Sequence, residues 1–233
     1  MLGDDSKVRA MKVLAIISRK GGVGKTTLAT ALAVEAVRAG RKPVIFDLDP
    51  QASASFWKDT RNDDRVALVT IPAVRLKHMI KAAAEGGADL AIIDTPPHAR
   101  DDAFEAASQA DFVLIPTRPA VLDVMAIEST LRTTKEAAKP SSVVLNFCPP
   151  SGREVDDCVA VIQKLGAEVC PARIGNRIAY SRAQQNGLAA QETDPASKAA
   201  SEIKELYAYV CMHLYADTVK GASNGRKRAT GRS

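Results

Sequence analysis

The chain has 233 residues, the length of one α/β domain, and its 46% apolar and 25% charged residues exclude a disordered, collagen-like or disulfide-scaffold protein. Aromatic residues make up only 4% of the chain, which disfavours a base-stacking surface for single-stranded nucleic acid. The net charge is +5, but residues 221–233 hold four basic residues and no acidic ones, so only +1 is left on the rest. A phosphate-backbone partner would therefore need a local basic patch.

The predicted elements follow one another as short β-branched apolar runs that alternate with alanine-rich amphipathic stretches, a pattern typical of a parallel sheet flanked by helices. Strands are predicted over Lys12–Ser18, Pro43–Asp47, Val66–Ile71, Asp89–Asp94, Phe112–Pro116 and Val143–Asn146. Helices are predicted over Lys25–Ala39, Val74–Glu85, Asp101–Gln109, Leu122–Ala138, Glu154–Leu165 and, capped by Asp194, from near Pro195 toward Tyr215. The predicted fold class is a single α/β domain, a mostly parallel twisted sheet with helices on both faces.

The same pattern places one domain over residues 12–216, after an N-terminal extension (1–11) and before a basic flexible tail (217–233). No apolar run approaches the ~20 residues of a membrane span, and the opening lacks the apolar stretch of a signal peptide, so a cytoplasmic location is expected. The cysteines are predicted to be free thiols, because no Cys-x-x-Cys pair or paired histidine accompanies them. They are Cys148, Cys158, Cys170 and Cys211.

A glycine-rich loop joins the first predicted strand to the first predicted helix. Its three glycines let successive N–H groups point at one anion, and the helix N-terminus adds its dipole. Lys25 can then reach the β- and γ-phosphates of a nucleotide, and the Thr26 hydroxyl can ligate Mg²⁺. The strict G-x-x-x-x-G-K-[ST] pattern fails, because Arg19 replaces the first glycine. The predicted nucleotide-binding residues of this P-loop variant are Lys20, Gly21, Gly22, Val23, Gly24, Lys25, Thr26 and Thr27.

Three aspartates lie at the ends of predicted strands. Asp47 and Asp49 follow the second strand and point the same way in an extended segment, and Asp94 ends the fourth strand. Ligands of open α/β sheets bind at this carboxyl edge, and Asp94 after four apolar residues suits the magnesium partner of a phosphate-loop enzyme. We therefore predict nucleotide hydrolysis, with Thr26 and Asp94 at the metal.

Three segments together resemble the ParA partition ATPases, within the deviant Walker A group that also contains MinD and the nitrogenase iron protein. They are Lys20-Gly-Gly-Val-Gly-Lys-Thr-Thr27, Phe46-Asp-Leu-Asp-Pro-Gln-Ala52 and Ile92-Ile-Asp-Thr-Pro-Pro97. The resemblance covers roughly residues 12 to 215 and is to the small form without an N-terminal helix-turn-helix domain. It implies a P-loop NTPase fold, ATP and Mg²⁺ as cofactors, and a homodimer that forms on ATP binding.

The resemblance also implies roles for single residues. Lys20 is the signature lysine that crosses to the phosphates of the partner subunit, and Asp49 orients the attacking water, so that Lys20, Lys25 and Asp49 are the expected catalytic residues. Asp47 is the neighbouring carboxylate and joins Thr26 and Asp94 at the metal. Asn146 is expected to read the adenine edge. The loop with Pro171 and Arg173 is expected to wrap the base.

The C-terminal part of the sequence indicates whether the protein binds a membrane or DNA. Residues 220–232 have no apolar face, so membrane binding of the MinD type is disfavoured. Arg177 and Lys198 match positions where relatives carry DNA-contacting basic residues, and Arg182 and Lys204 extend the expected patch. Dimerisation would double such a patch and thereby link ATP binding to DNA binding.

The sequence thus predicts an ATP-driven partition ATPase that coats nucleoid DNA without sequence preference. A ParB-like centromere-binding partner on the cargo is expected to stimulate its slow hydrolysis and release it. The alternatives are a positioning ATPase for a protein cargo, a MinD-like division-site ATPase, a cluster-bridged reductase, and a regulator that binds ATP without turnover. The reductase is disfavoured because no cysteine lies just after Asp94.

Overall fold

The computed structural model describes residues 11–51 and 53–226, without the side chains of Ser53 and of residues 217–226. The first ten residues of the predicted extension and the last seven of the predicted tail lie outside the described residues. Within the described part of the chain, no helix has the length and apolar character to cross a membrane.

The described strands form one seven-stranded sheet in which each neighbouring pair is parallel. They are β1 (Lys12–Ile16), β2 (Pro43–Asp47), β3 (Ala67–Thr70), β4 (Leu90–Asp94), β5 (Phe112–Thr117), β6 (Ser141–Cys148) and β7 (Glu168–Gly175). Their order is β3-β2-β4-β1-β5-β6-β7, which puts β1 at the centre between β4 and β5. Since parallel strands end at the same edge, the loops after β1, β2, β4 and β5 converge there.

Helices cover both faces of the sheet, which confirms the predicted fold class. They are α1 (Lys25–Arg38), α2 (Ser53–Thr60), α3 (Leu76–Glu85), α4 (Arg100–Gln109), α5 (Val121–Glu136), α6 (Glu154–Lys164), α7 (Ile178–Gln185), α8 (Ala190–Thr193) and α9 (Lys198–Arg226), with a 3-10 turn at Ala73–Arg75. Leu14 and Ile16 of β1 pack into the core under α1, α2 and α7 to α9. Val13 and Ala15 pack into the opposite core under α3 to α6, so β1 is buried on both sides.

Three parts of the fold were not predicted: β7, α2 and the pair α7–α8. The β7 strand contains Pro171, which breaks a central strand but is tolerated here because β7 lies at the edge of the sheet. The pairing of β7 with β6 also shifts register, so its pattern is irregular. The short helix α2 is held by tertiary contacts, since the Trp57 indole donates to the Leu188 carbonyl at 3.0 Å.

The last helix differs from its prediction at both ends. It begins at Lys198 because the Ser197 hydroxyl, and not Asp194, accepts the backbone N–H of Ala200 (3.2 Å). The Asp194 carboxylate instead accepts the N–H of Ala196 in the preceding turn (3.1 Å). The helix continues past Tyr215 to Arg226. The four cysteines are free as predicted, three of them buried and Cys211 half-buried.

Candidate nucleotide-binding site

The loop between β1 and α1 forms an open anion cradle. Gly22 and Gly24 have left-handed backbones, with φ of 69° and 88°, which only glycine adopts without strain. Gly24 is the N-cap of α1 and offers no side-chain hydrogen bond, and the first turn of α1 has no acidic residue. The first N–H groups of α1 therefore keep no internal side-chain acceptor and can bind an external anion.

Lys25, the first residue of α1, is folded down onto this cradle. Its side chain is buried, and its ammonium lies 3.4 Å from the Lys20 carbonyl. Burial lowers the pKa of the Lys25 ammonium, an effect that the nearby carboxylates of Asp94 and Asp49 partly offset. A buried ammonium whose charged form is disfavoured by lost water is stabilised once a phosphate takes the place of that water.

Thr26, Asp47 and Asp94 meet directly beneath the cradle. The Thr26 hydroxyl donates to Asp94 Oδ2 at 2.6 Å, which leaves the threonine lone pairs free to face a cation. Asp47 and Asp94 are paired across β2 and β4. Asp47 Oδ2 and Asp94 Oδ1 are buried and have no hydrogen-bond partner among the described residues, an arrangement that is costly unless a ligand completes it.

This oxygen set fits Mg²⁺. Magnesium takes one or two carboxylates plus nucleotide phosphates and water, and does not need an all-protein cage. The described residues contain no group of three or more His, Cys, Asp or Glu side chains arranged to hold a metal ion by themselves. Burial raises the pKa of Asp94 to about 7 and also raises the pKa of Asp47, so both carboxyls hold protons more tightly than usual while no cation is near.

Lys20 is held within its own subunit. Its ammonium forms an ion pair with Asp123, a buried carboxylate in the first turn of α5. The residues around that turn are apolar and exposed: Val121 (70%), Leu122 (76%) and Met125 (65%). Lys20 and an exposed apolar surface therefore lie together beside the loop.

Asp49 lies in the loop after β2, at the rim of the site. Its backbone N–H donates to Asp47 Oδ1, and its Oδ1 accepts the N–H of Gln51, both at 2.9 Å. In the described part of the chain, no hydrogen bond is made to Asp49 Oδ2. The side chain is close enough to Lys25 to stabilise its charge.

Asn146 supports the loop from below. Its Nδ2 donates to the Val23 carbonyl (2.8 Å) and its Oδ1 accepts the N–H of Phe147 (2.9 Å), so the buried side chain is already used. Recognition of adenine by Asn146 stays a prediction. In that role, the same side-chain amide would contact both the adenine and the Val23 carbonyl of the loop. Phe147 has φ 58°, a conformation that costs about 1–3 kcal/mol for a non-glycine residue, and it was not predicted as a site residue.

Two adjoining cavities continue from Phe147 along the carboxyl edge. One has a volume of about 420 Å³ and the other about 320 Å³. They share Pro149 and Asn176, which follow β6 and β7. The expectation of a loop at Pro171 and Arg173 is wrong, because both residues lie within β7. Their contact with the base stays a prediction. Arg173 reaches the smaller cavity, but its guanidinium is paired with Asp156 (2.8 Å).

The four predicted DNA-contacting residues fall into two groups. Arg177 is committed to a carboxylate: its guanidinium forms a forked pair with Glu202 (shortest distance 2.6 Å), which also accepts from the Gly175 N–H and the Tyr180 hydroxyl. It therefore does not lie in the open basic patch that the sequence predicted. Among the described ion pairs none involves the other three, which are exposed on α7 and α9: Arg182, Lys198 and Lys204.

The fold and the loop define a P-loop nucleotide-binding protein with a central parallel sheet. The chain belongs to the CobQ/CobB/MinD/ParA nucleotide binding domain family, whose model matches residues 14–190. This confirms the resemblance that the three sequence motifs indicated.

Two curated relatives and one solved structure place the chain within that family. It is 32% identical over 180 residues to the maintenance of carboxysome distribution protein A of Gloeobacter kilaueensis, which covers 76% of this chain and 82% of that protein. It is 30% identical over 187 residues to the protein ParA of Rhizobium radiobacter, with 76% and 84% covered. The septum site-determining protein MinD of Pyrococcus horikoshii, complexed with Mg-ADP, shares the fold with a TM-score of 0.74 at 20% identity, over 86% of this chain and 96% of that one.

Proposed function

We propose that this chain is an ATP-dependent DNA partition ATPase, which dimerises on ATP, binds duplex DNA without sequence preference and is released by hydrolysis. The observation that carries the proposal is the incomplete site below the loop. The Thr26–Asp94 hydrogen bond lies beside two unpartnered buried carboxylate oxygens and an uncapped helix N-terminus. A magnesium-bound triphosphate satisfies all three at once.

In this proposal the loop binds the phosphates through its backbone N–H groups and Lys25. Thr26, Asp47 and Asp94 would hold Mg²⁺, which neutralises phosphate charge when it is bound. Asp94 keeps the Thr26 hydroxyl turned so that its lone pairs face the metal. Asp49 accepts a hydrogen bond from the attacking water through its uncommitted oxygen.

Dimerisation follows from the neighbourhood of Lys20. The ion pair with Asp123 retains the lysine in the free subunit, and the exposed apolar turn Val121–Met125 gives a second copy a surface to cover. A phosphate in the opposite subunit competes with Asp123 for the lysine. Closure over nucleotide then exchanges an internal ion pair for one between subunits.

The DNA surface is proposed to use three exposed basic residues of α7 and α9 that take part in none of the described ion pairs: Arg182, Lys198 and Lys204. Each phosphate contact adds to the salt dependence of binding, so doubling the patch in a dimer strengthens binding steeply. Arg177 is left out because Glu202 neutralises it. The stimulating partner is proposed to be a ParB-like protein bound to the cargo.

The experiment is retention of the full chain on duplex DNA with ATP, ADP or no nucleotide, at low and high salt, together with sizing and phosphate release. We expect retention and a dimer with ATP alone. Lys198→Glu should reduce retention about tenfold while sparing phosphate release. Lys77→Glu, the same change at an exposed lysine of α3, is the control. Equal retention in all three nucleotide states would contradict the proposal.

A second candidate is a positioning ATPase with a protein cargo, favoured by the 32% identity to a carboxysome distribution protein. The nucleotide cycle and DNA binding are the same in both candidates. They differ in the partner, so purified candidate partners should be compared for stimulation of phosphate release. Stimulation only by a protein that itself binds a specific DNA site supports partition, and stimulation by one without DNA affinity supports the second candidate.

A further inference from the structure

The residue directly after β5, Arg118, lies against the phosphate loop although no motif includes it. Because β5 pairs with β1, the end of β5 brings Arg118 beside the loop that follows β1. Its guanidinium donates to the Gly22 carbonyl. The contact is close: a Cβ added to Gly22 would lie 3.1 Å from Arg118 Nη2.

The other neighbour of the guanidinium is an aromatic ring. The guanidinium carbon Cζ of Arg118 lies 5.1 Å from the centroid of the Phe147 ring. Phe147 is the residue below the loop that has a left-handed backbone. Arg118 and Phe147 together line the 420 Å³ cavity that begins at this point. The guanidinium therefore stands at the border between the cradle and the cavity.

In the described ranges, 11–51 and 53–226, the charge of Arg118 has no carboxylate partner. Among the described residues, none of the ion pairs includes Arg118, whereas Lys20 is neutralised by Asp123 and Arg177 by Glu202. A guanidinium carries five N–H donors in a planar fork suited to phosphate, and one carbonyl uses only part of that capacity. An anionic ligand at the rim of the cradle would supply the counter-charge and the hydrogen-bond acceptors for this exposed guanidinium.

We propose that Arg118 is a nucleotide-binding residue, whose guanidinium binds the phosphate that lies between the cradle and the cavity, and whose bond to the Gly22 carbonyl holds it ready there. This inference rests on the proposed function, because it takes the ligand to be a nucleoside di- or triphosphate. That phosphate is common to ADP and ATP. Arg118 therefore contributes equally to both, unlike Lys20, which acts across subunits on the triphosphate.

The test is calorimetric binding of Mg-ADP, Mg-ATP and magnesium pyrophosphate to the full chain, at low and high salt. Arg118→Gln keeps an N–H donor for the Gly22 carbonyl and removes the charge. Arg118→Lys keeps the charge and removes the planar fork. Arg75→Gln removes the charge of an exposed arginine next to α3 and is the control.

Arg118→Gln should lower the affinity for both Mg-ADP and Mg-ATP by about tenfold or more, which is the effect of losing one charge-assisted hydrogen bond. It should also reduce the salt dependence of binding. Arg118→Lys should recover part of the loss, and the control should match the wild type. If Arg118→Gln lost affinity for the nucleotides but bound pyrophosphate normally, Arg118 would contact the sugar or base, and its assignment to a phosphate would be overturned. Wild-type affinity in Arg118→Gln would overturn the inference alone. Failure of the wild-type chain to bind nucleotide would instead overturn the proposed function.

Discussion

The two halves of the carboxyl edge are built in opposite ways. On the β2-β4-β1 side, buried polar atoms are left without partners, as with Asp47 Oδ2 and Asp94 Oδ1. On the β6–β7 side, charged groups are paired internally, as with Arg177 and Glu202. The first half is therefore completed by a ligand, and the second is completed by the protein itself.

This difference separates a binding site from a scaffold next to it. Buried polar atoms without partners raise the free energy of the empty site, so a ligand that pairs them gains that energy back. A satisfied ion-pair network fixes the position of β7 and α9 relative to each other. Variants on the first side should therefore change ligand affinity, and variants on the second side should change stability.

Lys25→Ala should give the largest effect, on the ligand-dependent side. We expect at least a hundredfold loss of Mg-ATP affinity, because the loop loses its buried cation. The melting temperature of the free protein should not fall, since burial lowers the Lys25 pKa and therefore disfavours its charge in the empty site. Calorimetry and thermal melting, with Lys77→Ala as the matched variant, measure both. Unchanged nucleotide affinity would remove Lys25 from the site.

Glu202→Gln tests the self-completed side. Burial alone would raise the pKa of Glu202, but the hydrogen bonds from Arg177 and Tyr180 hold it below its usual value, so the carboxylate stabilises the fold. Removing its charge should cost about 1–3 kcal/mol of unfolding free energy at neutral pH, with Mg-ATP affinity retained. The control is Glu205→Gln on the exposed face of α9. A loss of affinity larger than the loss of stability would mean that this network belongs to the ligand site.

How far the sequence predicts each half follows from the distance between the interacting residues. The phosphate loop is a local pattern, so its position between β1 and α1 could be predicted from consecutive residues. Glu202 lies 25 residues from Arg177, and Asp123 lies still further from Lys20, so neither pairing leaves a local signal. Arg177 was therefore predicted as a DNA-contacting residue, without its carboxylate partner.

Arg118 shows a signal that was present and not used. Asp94 was singled out because it follows a buried apolar strand at the carboxyl edge. Arg118 follows Phe112–Thr117, which is fully buried, in the same way. The same rule applied to cations as well as carboxylates predicts it. By contrast, β7 could not be predicted, because its edge position and its pairing with β6 are what make Pro171 tolerable.

A further prediction for the ligand-dependent half is that Asp94 releases a proton when Mg-ATP binds. The folded pKa of Asp94 is raised from 3.8 to about 7, so the empty site favours the protonated form and the fold loses stability as the pH rises from about 4 to about 7. A bound cation needs the carboxylate. Affinity for Mg-ATP should therefore fall by about tenfold per pH unit below 7 and level off above it. Calorimetry in buffers of different ionisation enthalpy counts the protons, and Asp94→Asn should abolish the dependence.

Asp123→Asn should give the smallest effect, because it removes the carboxylate partner of Lys20 and leaves the phosphate loop itself unchanged. Freed from the carboxylate, Lys20 becomes available to a second subunit, and the dimer fraction at limiting ATP should rise a few-fold while affinity for ADP stays the same. Asp101→Asn makes the same change in the first turn of α4 and is the control for the loss of a helix-terminal charge. Sizing against ATP concentration measures the shift. A dimer fraction that falls in Asp123→Asn but not in the control would show that Asp123 supports closure and does not hold Lys20 back.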